Sequence, residues 1–382
     1  MVYFDNAATS YPKPPGILPA VANAAIHLGG NPGRSGHSMS LRAAEAVFGV
    51  REKAAEFFGA SPENVIFTSN CTHSINLALK GFLLPFITAG EKVHIIHTNM
   101  EHNSVARPVY EMSKYGVSYS VAEVSANDEE TAENIEKLIT PDTRAVICTL
   151  GSNVTGQLMP FARIGEICRR YGICFIGDGA QSCGVVPIDL AADGINILCT
   201  PGHKGLFGIC GTGLLITDGT FPIYHIMEGG TGSTSADLEQ TPFLPDGLES
   251  GTVNTPGIAS VGAGLDFINR VGMDRIHRRE NCLCNVLINS LSGNSRVKIY
   301  RRPGADYLPI VLFNVEGFTP EETAQYLSDR GFALRGGLHC SPLAHMANGT
   351  FPEGGVRFAP SYFNNSSEVM ALARAIERLS YS

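Results

Sequence analysis

Short apolar runs separated by amphipathic stretches set the rhythm of this chain. From Met39 to Phe58, MSLRAAEAVFGVREKAAEFF places Leu41, Ala44, Phe48 and Phe57 at near-helical spacing and stops at Gly59, which predicts an amphipathic helix carrying those apolar residues. The segment before it, rich in Pro and Gly, reads as irregular. After a turn at SPEN come a short buried strand, VIFT, and a helix, CTHSINLALKGF, that begins where the strand ends. The alternation recurs. KVHIIHT and RAVICTL read as strands, PFARIGEICRRYG as a helix with Pro160 at its first position, and CFIGD and INILCT as further strands. Apolar runs of this length between helices predict an α/β unit built on a mostly parallel sheet covered on both faces.

Beyond Ala259 the pattern changes. A long helical stretch, SVGAGLDFINRVGMDRIHRRENCLCNVLINSL, is followed by strand-like VKIYR and YLPIVLFNVEG, and TPEETAQYLSDRG offers Thr319 as a helix cap with Glu322 three residues on. This predicts a smaller α+β unit. The expected organisation is a large α/β domain over residues 15–258 and a small domain made from residues 1–14 and 259–382. Glu228 to Gly247 reads as a long, open loop.

Composition narrows the function classes. With 382 residues, 44% hydrophobic and 17% charged, the chain is expected to be globular throughout, and a net charge of -8 with scattered Lys and Arg argues against nucleic acid as a partner. No apolar run approaches the roughly 20 residues of a membrane helix. The N-terminal MVYFDNAATS lacks a basic start and an apolar core, so a soluble, cytoplasmic protein is expected. Ten cysteines in a chain of this kind read as reduced thiols, most of them small core residues. Without CxxC or HExxH, no metal site is expected. His94 and His97 stand beside His102, but His94 falls within a predicted strand.

Ligands of α/β sheets bind where the parallel strands end, so the residues after each predicted strand are the candidates. After VIFTS, Cys71 and Thr72 open a helix, where free N–H groups and the helix dipole favour an anion. After HIIHTNM comes His102, after AVICTLGS Asn153, after CFIGD the acid and amide Asp178 and Gln181, and after NILCT the turn PGHKG with His203 and Lys204. Each alone has a bland reading as a loop residue. Together they suit a cofactor with a phosphate, a ring nitrogen that pairs with an acid and an aldehyde that condenses with lysine, namely pyridoxal 5'-phosphate. Gly202 and Gly205 are expected to let the backbone pass close to a ligand and the lysine swing. Nucleotide and hydrolase signatures are absent.

A last stretch, RGGLHCSPLAH, puts Cys340 between glycines, a proline and two histidines, leaving nucleophile, metal ligand and core thiol as readings. Together with FDNAATSYPKP, FTSNCTHSINLALKG, MEHNSVARP, GSNVTGQLMP, DGAQSCG, PGHKGLFG, EGGTG, ESGTVNTPGI and VRFAPSYFNN it carries a resemblance nearly end to end. The chain resembles the cysteine desulfurase and selenocysteine lyase family, within the class V aminotransferases of PLP fold type I. The short RGGLHC segment is similar to the ordered-loop group that includes the selenocysteine lyases.

That resemblance implies roles by position. Lys204 would bind the cofactor aldehyde, Asp178 the pyridinium nitrogen, and His102 would stack on the ring. Asn153 and Gln181 would lie near the phenolic oxygen or substrate. Cys71, Thr72 and His203 would hold the phosphate, with Thr252 reaching across from the second subunit of a homodimer. Arg357 would clamp the substrate carboxylate, with Arg335 near it, and Cys340 would take sulfur from L-cysteine as a persulfide for an acceptor protein. Two positions depart from the family pattern. Pro201 stands where a Ser or Thr is common, with Thr200 one step earlier, and Cys71 stands where Thr is common. The resemblance equally admits a selenocysteine lyase, or a C–S lyase that forms pyruvate with Cys340 a bystander.

Overall fold

A computed structural model describes residues 1–33, 35–234 and 236–381. Ser235, inside the predicted loop from Glu228 to Gly247, lies outside the described residues. The chain opens with β1 (Val2–Tyr3), α1 (Ile17–His27) and α2 (Ser38–Phe58). There follow β2 (Val65–Thr68), α3 (Cys71–Thr88), β3 (Val93–Thr98), α4 (Asn103–Ser113), β4 (Val117–Ala122), α5 (Asp128–Glu136) and β5 (Thr143–Thr149). Next come α6 (Phe161–Tyr171), β6 (Cys174–Asp178), α7 (Leu190–Asp193), β7 (Ile197–Pro201) and β8 (Gly213–Thr217). The remainder comprises α8 (Thr255–Val271), α9 (Met273–Leu291), β9 (Val297–Ile299), β10 (Val311–Val315), α10 (Pro320–Ser328), β11 (Phe332–Ala333), β12 (Arg335–Gly337), α11 (Pro342–Ala347), β13 (Gly355–Phe358) and α12 (Ser366–Ser380).

A seven-stranded sheet runs β2-β8-β7-β6-β5-β3-β4, parallel except where β8 lies antiparallel to both β2 and β7. Strands β2, β3, β6, β7 and β8 are buried at every position, as expected of a sheet with helices on both faces. One apolar cluster, with Val47, Phe58, Phe175 and Leu265, fills one side, and another, with Ile75, Leu79, Val105 and Val109, fills the other. A separate four-stranded antiparallel sheet, β12-β13-β10-β9, packs with α9 and α12 around Phe4, Phe313, Phe358 and Leu372. The first strand pairs with β11, so the N-terminus lies on this second unit.

The sequence pattern and the structure part company at several points. Helix α2 forms where expected, but it buries Ala43, Val47, Val50, Ala54 and Phe58, and leaves Leu41 and Phe48 about half exposed. Small residues explain the choice of face: α2 packs on α8, where a Cβ on Gly262 would stand 2.7 Å from a Val50 methyl carbon. Helix α1 occupies the stretch read as irregular; its Pro19 lies in the first turn, where no intrahelical N–H is lost. The long C-terminal helix is two helices, broken at Gly272, whose φ is +91°. Thr319 and Glu322 form the expected reciprocal cap of α10.

Candidate active site

The parallel strands deliver their carboxyl ends to one edge, and a cavity of about 120 Å³ opens there. Its walls include Cys71 and Thr72 at the start of α3, His102 and Ser104 at the start of α4, Asn153 after β5, Asp178 and Gln181 after β6, and His203 and Lys204 after β7. Eight of the residues singled out from sequence therefore share one cavity.

Their local geometry follows from the turns that hold them. The Asn70 side chain caps α3 by accepting from the His73 N–H, which leaves the Cys71 and Thr72 amides at the open end of the helix. His102 caps α4 in the same way: its Nδ1 accepts from the Ser104 N–H at 3.0 Å and faces the Ser104 hydroxyl at 2.8 Å, so the ring proton sits on Nε2. Burial and the nearby cations Lys204, Arg335 and Arg357 push the His102 pKa down to about 4, keeping the ring neutral.

Asp178 ends β6 almost fully buried, with Oδ1 accepting from the Ala180 N–H at 2.9 Å and from the Cys71 thiol at 3.6 Å. Its carboxyl is raised by burial, a shift countered by those donors and by the positive charge of Lys204. Lys204 is lowered by burial, which favours the neutral amine an aldehyde requires. The lysine turn is tight: Phe207 N–H donates to the Lys204 carbonyl at 2.9 Å, and Gly208 N–H to Gly202 at 2.7 Å. Gly205 has a structural reason to be glycine, since a Cβ there would stand 2.2 Å from the Cys183 carbonyl oxygen. Its role is close packing of the chain on itself.

Cys340 lies on the loop between β12 and α11 and is exposed. His339 and Cys340 both adopt the left-handed region, with φ of +51° and +57°, at about 1–2 kcal/mol each. The loop is fastened against this strain. Asn103 N–H donates to the Cys340 carbonyl at 2.8 Å, Asn153 Nδ2 to the His339 carbonyl at 2.8 Å, and the buried Ser341 hydroxyl to Asn153 Oδ1 at 2.7 Å. Both fasteners, Asn103 and Asn153, adjoin or belong to the cavity wall.

The charge nearest the sulfur is Arg335, whose Nη2 is 3.7 Å from Cys340 Sγ. His339 is turned inward: Nε2 donates to the Arg335 carbonyl at 3.0 Å and Nδ1 meets His345 Nε2 at 3.2 Å, while burial holds its pKa well below the usual value. Arg335 and Arg357 are register partners across β12 and β13. Like charges directly opposite repel. Arg357 is 1% exposed, and it donates through Nη1 to the Asn153 carbonyl at 3.0 Å and through Nη2 to Asp5 Oδ1 at 2.7 Å.

Thr252 lies outside the cavity of its own chain; it is exposed and accepts from Asn31 Nδ2 at 3.2 Å. Its segment is anchored by the buried bidentate pair of Glu249 with Arg51 at 2.8 and 2.9 Å. Thr200, one position before Pro201, also lies outside the cavity. Among the described residues no cluster suited to a metal ion occurs, and all ten cysteines are free; His94 and His97 both lie in β3.

Residues 2–372 match the model of the aminotransferase class-V family. The chain belongs to that family, and within it to the cysteine desulfurases. A probable cysteine desulfurase from Methanothermobacter thermautotrophicus is 30% identical over 99% of this chain and 94% of its own length. The cysteine desulfurase of Synechococcus elongatus is also 30% identical over 99% of this chain, which spans 60% of that longer protein. The apo structure of the cysteine desulfurase from Thermococcus onnurineus superposes with a TM-score of 0.90, at 28% identity, over 100% of this chain and 94% of that one.

For a class V aminotransferase the cavity contains the polar atoms its cofactor needs. His203 Nδ1 is buried in the wall without a hydrogen-bond partner among the described residues, close to the open end of α3. An unpaired ring nitrogen and free helix amides suit a phosphate, and Asp178 with Lys204 suits the ring nitrogen and aldehyde. Cys71 is the exception, because its thiol points at Asp178.

Sequence reasoning overlooked four residues. Asp5 holds Arg357, Ser104 fixes the His102 ring, Ser341 fastens Asn153, and Glu101 is buried where β3 and β5 end, accepting from the Thr98 hydroxyl and the Thr149 N–H. Asp5 and Glu101 sat inside quoted motifs, FDNAAT and MEHNS, beside residues with more obvious chemistry.

Proposed function

We propose that this protein is a pyridoxal phosphate-dependent cysteine desulfurase that converts L-cysteine to L-alanine and takes the sulfur onto Cys340. The observation that supports this most directly is the fastening of a thiol loop onto the wall of the cofactor cavity through Asn103 and Asn153. A transamination or simple elimination site has no use for such a thiol.

Thr72, the α3 amides and His203 would hold the phosphate, Asp178 would pair with the ring nitrogen, and Lys204 would condense with the aldehyde. Bound there, pyridoxal phosphate supplies an electron sink for charge developing at the Cα of an amino acid. Lys204 takes the Cα proton and returns it. Arg357 orients the substrate carboxylate, and the Cys340 loop sets the sulfur in reach. Cys340, with the Arg335 guanidinium 3.7 Å from its sulfur, attacks the substrate sulfur as thiolate. The substrate C–S bond breaks as an S–S bond forms, and the carbon skeleton takes up a proton and leaves as alanine. Because Cys340 is exposed, an acceptor protein can then collect the sulfur.

We infer a homodimer on separate grounds. Leu18 and Ile26 on α1 and Leu41 and Phe48 on α2 are exposed apolar residues on two helices that pack on α8, and Thr252 is free of its own cavity. All ten thiols being free suits a reducing compartment such as the cytoplasm.

Cofactor-loaded wild type and Cys340→Ala tested on L-cysteine decide the main reading. Wild type is expected to yield alanine, and Cys340→Ala to lose at least about a hundredfold in rate while retaining cofactor absorbance. Pyruvate in place of alanine, or an unimpaired variant, would overturn it.

A further inference from the structure

The proposed function gives Arg357 a substrate carboxylate to bind, yet the guanidinium already holds one. Asp5 Oδ1 is 2.7 Å from Nη2, and the Arg357 side chain is 2% exposed against 19% for that of Asp5. The pairing is one-sided. A guanidinium presents Nε and Nη2 along one edge as a matched pair of donors for the two oxygens of a carboxylate. Here Nη2 serves Asp5, while Nε is buried without a hydrogen-bond partner among the described residues. The third group, Nη1, is held by the Asn153 carbonyl at 3.0 Å, so the guanidinium cannot rotate freely to improve its contact with Asp5.

The backbone around Asp5 is equally fixed. Phe4 is bonded on both sides, its N–H to the Ala333 carbonyl at 2.9 Å and its carbonyl to the Ala359 N–H at 2.8 Å. Asn6 donates twice to the Ala359 carbonyl, from its N–H at 3.1 Å and from Nδ2 at 2.9 Å. Ala7 accepts from Gln181 Nε2 at 3.0 Å. Farther on, Ser10 N–H, Ser10 Oγ, Thr9 Oγ1 and Lys13 Nζ all converge on the His203 carbonyl at 3.0 to 3.2 Å, next to Lys204. The segment from Phe4 to Lys13 is thus tied at both ends, while the Asp5 side chain, which has partial access to solvent, is free to leave Arg357.

We propose that Asp5 is a resident carboxylate that keeps Arg357 in place in the free protein and yields it to the α-carboxylate of the substrate. A ligand carboxylate that reaches both Nε and Nη2 makes two charge-assisted bonds where Asp5 makes one, and the released Asp5 is rehydrated while Arg357 stays buried. Asp5 is then a positioning residue that sets affinity by competition. It weakens binding of every amino acid that carries a carboxylate and leaves amines that lack one unaffected. This inference rests on the desulfurase reading only in the choice of an amino acid as the ligand.

The test compares wild type with Asp5→Asn, both loaded with cofactor. Binding of L-alanine is followed through the cofactor absorbance, with ethylamine, which is alanine without its carboxylate, as the matched amine. Asp5→Asn is expected to bind L-alanine at least about threefold more tightly and ethylamine within twofold of wild type. Unchanged or weaker L-alanine binding, or equal shifts for both ligands, would contradict the competition. If Asp5→Asn does not fold, Asp5→Glu keeps the competing charge and is expected not to tighten L-alanine; tighter binding by that variant would overturn the proposal. Because the readout is binding, it stands apart from sulfur transfer. A protein that releases no alanine from L-cysteine but shows the expected L-alanine shift would refute the proposed function and keep this inference.

Discussion

Arg335 shows how a charge can act at the scale of one residue. Its guanidinium is the cation beside the Cys340 sulfur, while the adjacent His339 has both ring nitrogens engaged elsewhere. Arg335→Met, which removes the group bordering that sulfur, is therefore expected to slow sulfur transfer from L-cysteine to Cys340 by about threefold or more, measured by the mass of the Cys340 peptide at short times. His339→Ala is a poor test of activation, because that ring braces the loop. Glu280 on α9 gives a pH prediction. Burial pushes its carboxyl up from 4.5 to about 8, against one compensating donor, the Tyr362 N–H at 2.8 Å. A carboxyl raised in the folded state contributes its stability below the unfolded value near 4.5, and loses it as pH climbs toward 8. Glu280→Gln should then raise the urea midpoint at pH 8, by about 1–3 kcal/mol in stability, with the gain vanishing near pH 4.5. An equal gain at both pH values would sink that account.

At the scale of elements, the lysine turn and the cysteine loop reach the site by different means. The turn is shaped by close packing: Gly205→Ala would push a methyl group into the Cys183 carbonyl at 2.2 Å. That variant is expected to lower cofactor affinity at least about tenfold, read by fluorescence titration, because the turn carrying Lys204 must move. The loop is shaped by hydrogen bonds that offset its left-handed residues. The succession of buried strands β2, β3, β5, β6 and β7 along the chain and most of the cavity were legible in the sequence, since apolar runs such as CFIGD end in the residues that line the site. The missed elements had weaker signals. Strand β4 exposes Ser118, Tyr119 and Val121, α4 carries Pro108 inside it, and the α2 face follows Ala and Gly packing rather than the larger side chains. The loop's attachments were illegible because Asn103, Asn153 and Cys340 are distant in sequence, and only folding brings them together.

Across the whole molecule, the proposed site draws on two units and, on the proposed assembly, on a second copy. Asp178 ends a strand of the large sheet and His102 and Lys204 follow the ends of two others, while Arg335, Arg357 and Cys340 come from the four-stranded sheet and its loop. The helix face bearing Leu41 and Phe48 is expected to be the covered surface of a dimer. The double change Leu41→Glu with Phe48→Glu should give a folded monomer by sedimentation, with weaker cofactor retention because Thr252 no longer reaches the neighbouring site. A dimer that survives would place the interface elsewhere. The central claim is sulfur transfer to Cys340, and its most direct measurement is the mass of the Cys340 peptide after brief exposure of the cofactor-loaded protein to L-cysteine. A gain of one sulfur atom on that peptide, removed by a reductant and accompanied by alanine, is the predicted result; an unmodified Cys340 peptide alongside released sulfide and pyruvate would contradict it.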